Sequence, residues 1–337
     1  LALIFFIGLQ LFSIRILASD DCIDVNQLKQ SPMTLTERVH FLVDPRGALT
    51  FSDTVSPNMA GQFQLDSNPA EAFNFGYSLS TYWFRLVLCN TSSIPVDRMF
   101  ELADANATTV IFYSPQDKAP YQSLETGLRL PHATRPYENR FFIFPITLPP
   151  NSTQIFYIKL QSIHPVIIPF KLWTPARFHQ HERNDYFAQA LYFGMVVSMI
   201  IFNALIFTVL RDTIYLYYVG YVAFFALYIA AITGLGKEFL WPNLANADIF
   251  AAELCDFTII SLLLFTRRML NTKMVIPVID VIIKIYIAAY ILQSITSFID
   301  FALVINRYAT FMHLTVASLI LIATIICTIK RQRKANI

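Results

Sequence analysis

Charge is what this sequence has least of. Asp, Glu, Lys and Arg make up 14% of its 337 residues, against about 25% in an ordinary soluble domain. A net charge of +2 argues against a nucleic-acid-binding surface, and a hydrophobic content of 55% marks a membrane chain or half of one. Catalytic signatures are missing too: there is no His-Glu-x-x-His, no Gly-x-Ser-x-Gly elbow and no Walker loop. No catalytic residue, cofactor or metal is therefore expected, and the His-Gln-His at 179–181 has no further ligands at metal spacing. Cysteine is scarce. Cys22 and Cys89 lie in polar sequence, Cys255 and Cys327 in apolar runs, so one bridge, Cys22–Cys89, is open if the polar half is exported; the other two read as packing residues.

What is present is unevenly spread. Residues 20–185 hold nearly all the Pro, Asn, Asp and Gln, whereas 186–329 are overwhelmingly Ile, Leu, Phe, Ala, Val and Tyr. The composition shift at "HQHERND" (179–185) sets the expected domain boundary. Before it, residues 1–19 read as a secretory signal without its basic start, with an uncleaved anchor helix as the alternative. After 329 comes a basic stub, 330–337.

Five stretches reach the roughly 20 residues a helix needs to cross hydrocarbon: 187–210, 214–235, 249–269, 283–301 and 305–329. The first two are separated only by Arg211-Asp212-Thr213. A connection that short joins antiparallel neighbours. Arg211 suits the negative end of one helix dipole, and Asp212 suits the positive end of the next, where it can also cap a free N–H. With the polar half outside, the inner connections carry Arg211, then Arg267, Arg268 and Lys273, then Lys330, Arg331, Arg333 and Lys334, while the short outer ones carry little beyond Lys237. That asymmetry predicts an exported N-terminal domain and a cytoplasmic C-terminus.

The polar half reads as short strands at 80–90, 108–114, 139–148, 154–162 and 166–173, with a hairpin over 39–51 around Asp-Pro-Arg-Gly. In 154–162, Phe156, Ile158 and Leu160 share one face. Short strands without helical periodicity between them predict a β-sandwich.

"FNFGYSLSTYWFRLVLCNTS" (73–92), "FFIFPITLPPNSTQIFYIKLQSIHPVIIPFKLWTP" (141–175), "LYFGMVVSMIIFNALIFTVLRDTIYLYYVGY" (191–221) and "GLGKEFLWPN" (234–243) together resemble the bacterial seven-transmembrane receptors with diverse intracellular signalling modules. The resemblance implies an all-β jelly-roll-like ectodomain in the periplasm, suspected of binding a glycan or other small molecule. An α-helical transmembrane bundle of seven spans follows it, here about five, set among lipid in the inner membrane. It also implies a cytoplasmic signalling domain as partner, a histidine kinase or diguanylate cyclase for example, and is compatible with a homodimer. Neither a kinase nor a cyclase signature occurs in this sequence. The alternative function is a non-signalling binding or accessory subunit of an envelope transporter or assembly complex. A transporter itself is disfavoured, because the spans hold almost no Gly or Pro beyond Gly194 and Gly220.

Two groups of residues are singled out. Tyr82, Trp83 and Arg85 could set an aromatic face and polar donors against a sugar, although Trp83 and Phe84 point to opposite faces and at least one of them belongs to a core. Glu253 and Asp256 lie three apart on one face of the third span, and Arg307 lies at the start of the fifth with opposite charge. Ionisable groups at such depth avoid lipid. With Arg211 and Asp212 they form the expected coupling set. Lys284 should reach the cytoplasmic interface, and His313 reads as a packing residue rather than a proton relay.

Overall fold

A computed structural model describes residues 22–27, 32–66, 71–116, 121–297 and 303–335, with side chains at 296–310 and 331–335 excepted. The expected signal segment lies outside these residues. The described N-terminal half contains β1 (Ile23–Asp24), β2 (Met33–Thr34), β3 (His40–Asp44), two single-turn helices α1 (Phe51–Thr54) and α2 (Pro57–Ala60), β4 (Phe73–Gly76), β5 (Thr81–Asn90) and β6 (Val96–Leu102). It continues through β7 (Thr109–Ser114), β8 (Gln122–Thr126), β9 (Phe142–Leu148), β10 (Ser152–Gln161), β11 (Val166–Ile168) and β12 (Phe170–Trp173).

These strands build a sandwich. One sheet runs β1-β5-β10-β7-β8, with β3 sharing the edge of β5; the other runs β2-β12-β6-β9. Alternation along each strand sends one set of side chains inward. Tyr82, Phe84, Leu86 and Leu88 of β5 and Phe156, Ile158 and Leu160 of β10 meet Phe100, Phe144, Phe170 and Leu172 of the opposite sheet. The core is held chiefly by phenylalanine: Phe112 stacks on Phe144 at 4.3 Å, and Phe84 meets Phe170 edge-on at 4.9 Å. Cys22 and Cys89 are bonded to each other, tying β1 to the strand it pairs with in parallel.

The expected hairpin at 39–51 does not form. Its first run is β3, paired with β5, but Asp44 is buried and its carboxylate accepts from Leu49 N at 2.8 Å. Thr50 then caps α1 through a reciprocal capping box with Asp53, so a helix signal overrides the second run. The helices α1 and α2 lie over the outer face of the large sheet, placing Phe51 and Met59 against Trp83 and Tyr157. The stretch read as one strand at 166–173 is two. Pro169 separates β11, which pairs with β4, from β12, which pairs with β2 and β6, as proline supplies no ladder N–H.

From β12 the chain enters the bundle with no linker. Helix α3 spans Pro175–Leu210, 36 residues, or about 54 Å at 1.5 Å per residue. It therefore starts well before the expected boundary at 185, and "HQHERND" is helical: Pro175 suits a first helical turn, and the polar residues form the part of the rod nearest the sandwich. The bundle continues with α4 (Thr213–Ile232), a π-helical turn (Gly236–Leu240), α5 (Ala247–Leu270), the short α6 (Thr272–Val275), α7 (Pro277–Ser297) and α8 (Leu303–Ala335). Among the described residues five helices are long and apolar enough to cross a membrane. At the α3–α4 turn Arg211 takes a left-handed conformation, φ 53°, and Asp212 caps α4 by accepting from Ile214 N at 3.1 Å. Asp212 also pairs with Arg268 at the end of α5 at 3.1 Å, and buried Asp280 takes Arg267 and Lys284 at 2.8 Å each. The basic connections thus gather at one end of the bundle. The sandwich sits at the other.

Candidate functional site

The sandwich and bundle meet across a junction of polar side chains. Glu182, Asp185 and Tyr186 lie at i, i+3 and i+4 on α3 and share a face. Opposite them is the segment entering β9. Tyr137 donates to Glu182 Oε2 at 2.9 Å and Asn139 Nδ2 to Glu182 Oε1 at 2.8 Å. Arg140 grips Asp185 with two parallel bonds, 2.8 and 2.9 Å, and donates to the Thr233 carbonyl at 3.1 Å. Such forked guanidinium–carboxylate pairing fixes orientation as well as distance. Tyr186 accepts from Arg140 N and donates to Glu238 at 2.7 Å. One residue of the sandwich, Arg140, therefore touches α3 and the end of α4 together.

Further contacts close the junction. Asn106 Nδ2 donates to the Ile232 carbonyl at 3.0 Å, His132 N donates to the Pro242 carbonyl at 2.9 Å, and Arg129 pairs with buried Asp248 at 2.8 Å. Gly234, φ +84°, lets α4 end directly beneath the sandwich: a Cβ there would lie 2.6 Å from Arg140 O. Gly236 passes under the Trp241 ring, where a Cβ would overlap it at 2.0 Å.

Between the two halves lies a cavity of about 320 Å³. Asp104 and His164 line it from the sandwich, Lys237, Trp241 and Asp248 from the bundle. Burial shifts Asp104, Lys237 and His164 towards neutrality. The Asp104 carboxyl is raised to about 6, and the Lys237 ammonium, buried and near Arg135, is lowered to about 8. The His164 imidazole is lowered by burial.

Asp104 makes a pH prediction. Its folded pKa lies above its unfolded one, so its contribution to stability is complete below about pH 4 and is lost as pH rises through about 6. Asp104→Asn keeps the acceptor for Asn106 N and removes that loss. The variant should be more stable than the parent at pH 7.5, on the order of 1–2 kcal/mol after allowance for partial exposure, with the difference gone at pH 4. Chemical unfolding at the two pH values measures it.

The residues singled out from sequence fall in three places. Tyr82 points into the sandwich core, stacked on Phe75 at 4.2 Å, and Trp83 is fully buried on the opposite face beneath α1 and α2. Neither ring presents a face to solvent; the tight inward pairing of β5 with β3 and β10 absorbs both. Arg85 is half-buried and hydrogen-bonds the Tyr157 hydroxyl, beside a cluster in which Phe51 stacks on Tyr113 at 4.1 Å and meets Tyr121 at 5.1 Å. Glu253 and Asp256 are buried inside the bundle. Ser294 donates to Glu253, Gln293 donates to Asp256 at 3.0 Å, and His313 Nε2 lies 3.9 Å from Asp256. The Arg307 side chain lies outside the described residues. Arg211 and Asp212 stand at the far, basic end, away from the junction. His179 and His181 contact Tyr137 and Trp173, and among the described residues no three His, Cys, Asp or Glu side chains form a metal-binding group.

Sequence reasoning missed the junction: Arg129, Arg140, Asp185, Tyr186, Glu238 and Asp248. Two signals pointed to it, the spacing of Glu182, Asp185 and Tyr186 and the paired glycines of "GLGKEF".

Comparison with protein families divides the chain at the same place. Residues 36–174 match the family described as 7TMR-DISM extracellular 2, and residues 185–337 the family described as 7TM diverse intracellular signalling. Neither description is of a catalytic family. No curated protein matches the chain.

Proposed function

Because the chain belongs to the seven-transmembrane receptors with diverse intracellular signalling, we propose that its sandwich binds a small-molecule or glycan ligand outside the cytoplasm and that the bundle relays occupancy to a cytoplasmic signalling domain. The observation that carries this is the direct passage of β12 into α3, reinforced where Arg140 clamps α3 and α4. A displacement of the sandwich has no flexible linker in which to dissipate. The inner membrane of a bacterium, with the sandwich periplasmic, suits both the basic end of the bundle and a disulfide that needs an oxidising compartment. A homodimer is the expected working state. Arg211, Asp212 and Arg268 form the surface nearest an output domain.

The ligand face is the outer side of the large sheet, where Arg85 lies beside Phe51, Tyr113 and Tyr121, with Trp83 as its floor. Aromatic faces with one guanidinium suit the apolar side of a pyranose and its hydroxyls. Ligand moves the receptor only through different affinity for two states. Calorimetry of the whole chain in nanodiscs against a glycan panel tests the assignment. Saturable binding weakened tenfold or more by Arg85→Ala and Tyr121→Ala is expected. Affinity indifferent to both substitutions would remove this face from the reading.

A further inference from the structure

The junction cavity carries chemistry that neither the Arg85 face nor the clamp uses. Asp248 has a side chain only 1% exposed; Arg129 occupies its Oδ2 at 2.8 Å, while buried Oδ1 has no hydrogen-bond partner among the described residues. His164 Nε2 is buried and likewise unpartnered. A buried acceptor left in this state bears its desolvation penalty uncompensated, and native proteins leave few of them. Lys237, 1% exposed, lines the same space and donates to the Leu244 carbonyl at 2.6 Å. An ammonium has three N–H groups, so two remain for another acceptor. Lys237 and Asp248 feel each other's charge, as do His164 and Asp248.

Asp104 and Asn106 also line it, and the remaining wall is apolar, with Leu128, Ile232, Trp241 and Ala251 among its residues. The volume, about 320 Å³, is at the lower end for small-molecule sites, which favour domain interfaces and combine an apolar lining with a few fixed polar groups. Two charges of opposite sign, each with spare hydrogen-bonding capacity, do not suit a simple ion. A cation would oppose Lys237 and an anion would oppose Asp248 and Asp104. A molecule carrying both charges meets both.

We propose that this cavity binds a small zwitterion of the α-amino-acid class, its ammonium on Asp248 Oδ1 and its carboxylate on Lys237, with an apolar side chain against Trp241 and Ile232. His164 Nε2 supplies a donor or an acceptor according to its tautomer. Because Asp104 and His164 belong to the sandwich and Lys237, Trp241 and Asp248 to the bundle, the bound molecule bridges the two and favours the closed junction. This site is separate from the Arg85 face and does not depend on that face binding anything.

The whole chain in nanodiscs, titrated with individual free α-amino acids, tests it by calorimetry and by thermal unfolding, where binding to the folded state raises the midpoint. At least one apolar amino acid should bind saturably. Its N-acetyl and carboxamide derivatives, each lacking one charge, should bind at least tenfold more weakly to the unaltered protein, a comparison that needs no variant to fold. Ala251→Leu fills the cavity while leaving every charge in place and should abolish binding; Lys237→Gln should weaken it tenfold or more; Arg85→Ala should leave it unchanged. Absence of saturable binding by any amino acid, meaning that water alone occupies the space, would overturn the proposal. So would equal binding of the N-acetyl derivative, or an affinity unaltered by Ala251→Leu.

Discussion

Gly234→Ala should open the junction between sandwich and bundle. The backbone there has φ +84°, a conformation that costs an L-residue about 1–2 kcal/mol. The new methyl would also lie 2.6 Å from the Arg140 carbonyl oxygen and 2.8 Å from Ala105 Cβ. Overpacking of this kind costs about 1–3 kcal/mol. The two effects share one site and relax together, so we expect a net loss of about 3 kcal/mol, felt where the strain is. Relief by lifting the β9 approach away from α4 would lengthen the bond from Arg140 to Thr233 O and loosen that to Asp185. Hydrogen exchange should report it as roughly hundredfold faster exchange across residues 231–241, since about 1.4 kcal/mol is a factor of ten. Gly61→Ala, with φ −78° and open space around the added carbon, is the control and should change little. Equal protection in both variants would mean that Gly234 is incidental.

Loss of the Cys22–Cys89 bridge should be the largest effect within the sandwich. The two cysteines are 67 residues apart, and closing a loop of that size restricts the unfolded chain by about 4 kcal/mol in the chain-entropy account. Strand pairing at the N-terminal end is short, only Ile23↔Leu88 and Asp24↔Cys89 between β1 and β5, supplemented by hydrogen bonds from Thr91 to Asp24, from Arg98 to the Val25 carbonyl and from Asn26 to Asn90. Yet Ile23 and Val25 are fully buried, so releasing this strand uncovers the core. Cys22→Ser combined with Cys89→Ser should lower the urea midpoint followed by the buried Trp83 and Trp173, with a stability loss of about 3–4 kcal/mol. A reducing agent should do the same to the parent and nothing further to the double variant. An unchanged midpoint in the double variant would show that the strand is held by packing alone.

Several features were legible in the sequence because they are local. Apolar length marked the spans, and a cation, an anion and a hydroxyl between two of them marked the tight turn that Arg211 and Asp212 make. Alternation placed Phe156, Ile158 and Leu160 together, and these are core residues. Local signals misled where two competed. Asp-Pro-Arg-Gly resembles a hairpin turn, but the Thr50–Asp53 capping box lies only a few residues later and decides the conformation. The start of α3 was obscured because its first turns are polar and largely exposed, standing beside the sandwich instead of in an apolar run. Tyr82 and Trp83 looked like ligand contacts because a strand buried on both faces has the same composition as an aromatic binding strand. The junction was hardest to see. Asp104, Arg129, Arg140, His164, Asp185 and Asp248 are distant in sequence and meet only when the β8–β9 connection, the β10–β11 turn and the sandwich-side ends of α3 and α5 come together. Asp104 joins them from the β6–β7 connection, and no periodicity marks such a meeting. Glycines whose neighbours leave no room for a Cβ come nearest to doing so.

Relay across the junction requires the sandwich and the bundle to move as one body. Spin labels at exposed Asn58 on the sandwich and exposed Lys273 at the basic end of the bundle, with the free cysteines Cys255 and Cys327 replaced by serine, would measure this by pulsed electron resonance in nanodiscs. One narrow distance distribution is predicted, broadening when Arg140→Ala removes the clamp. A broad distribution in the clamped protein, unaffected by that substitution, would contradict it.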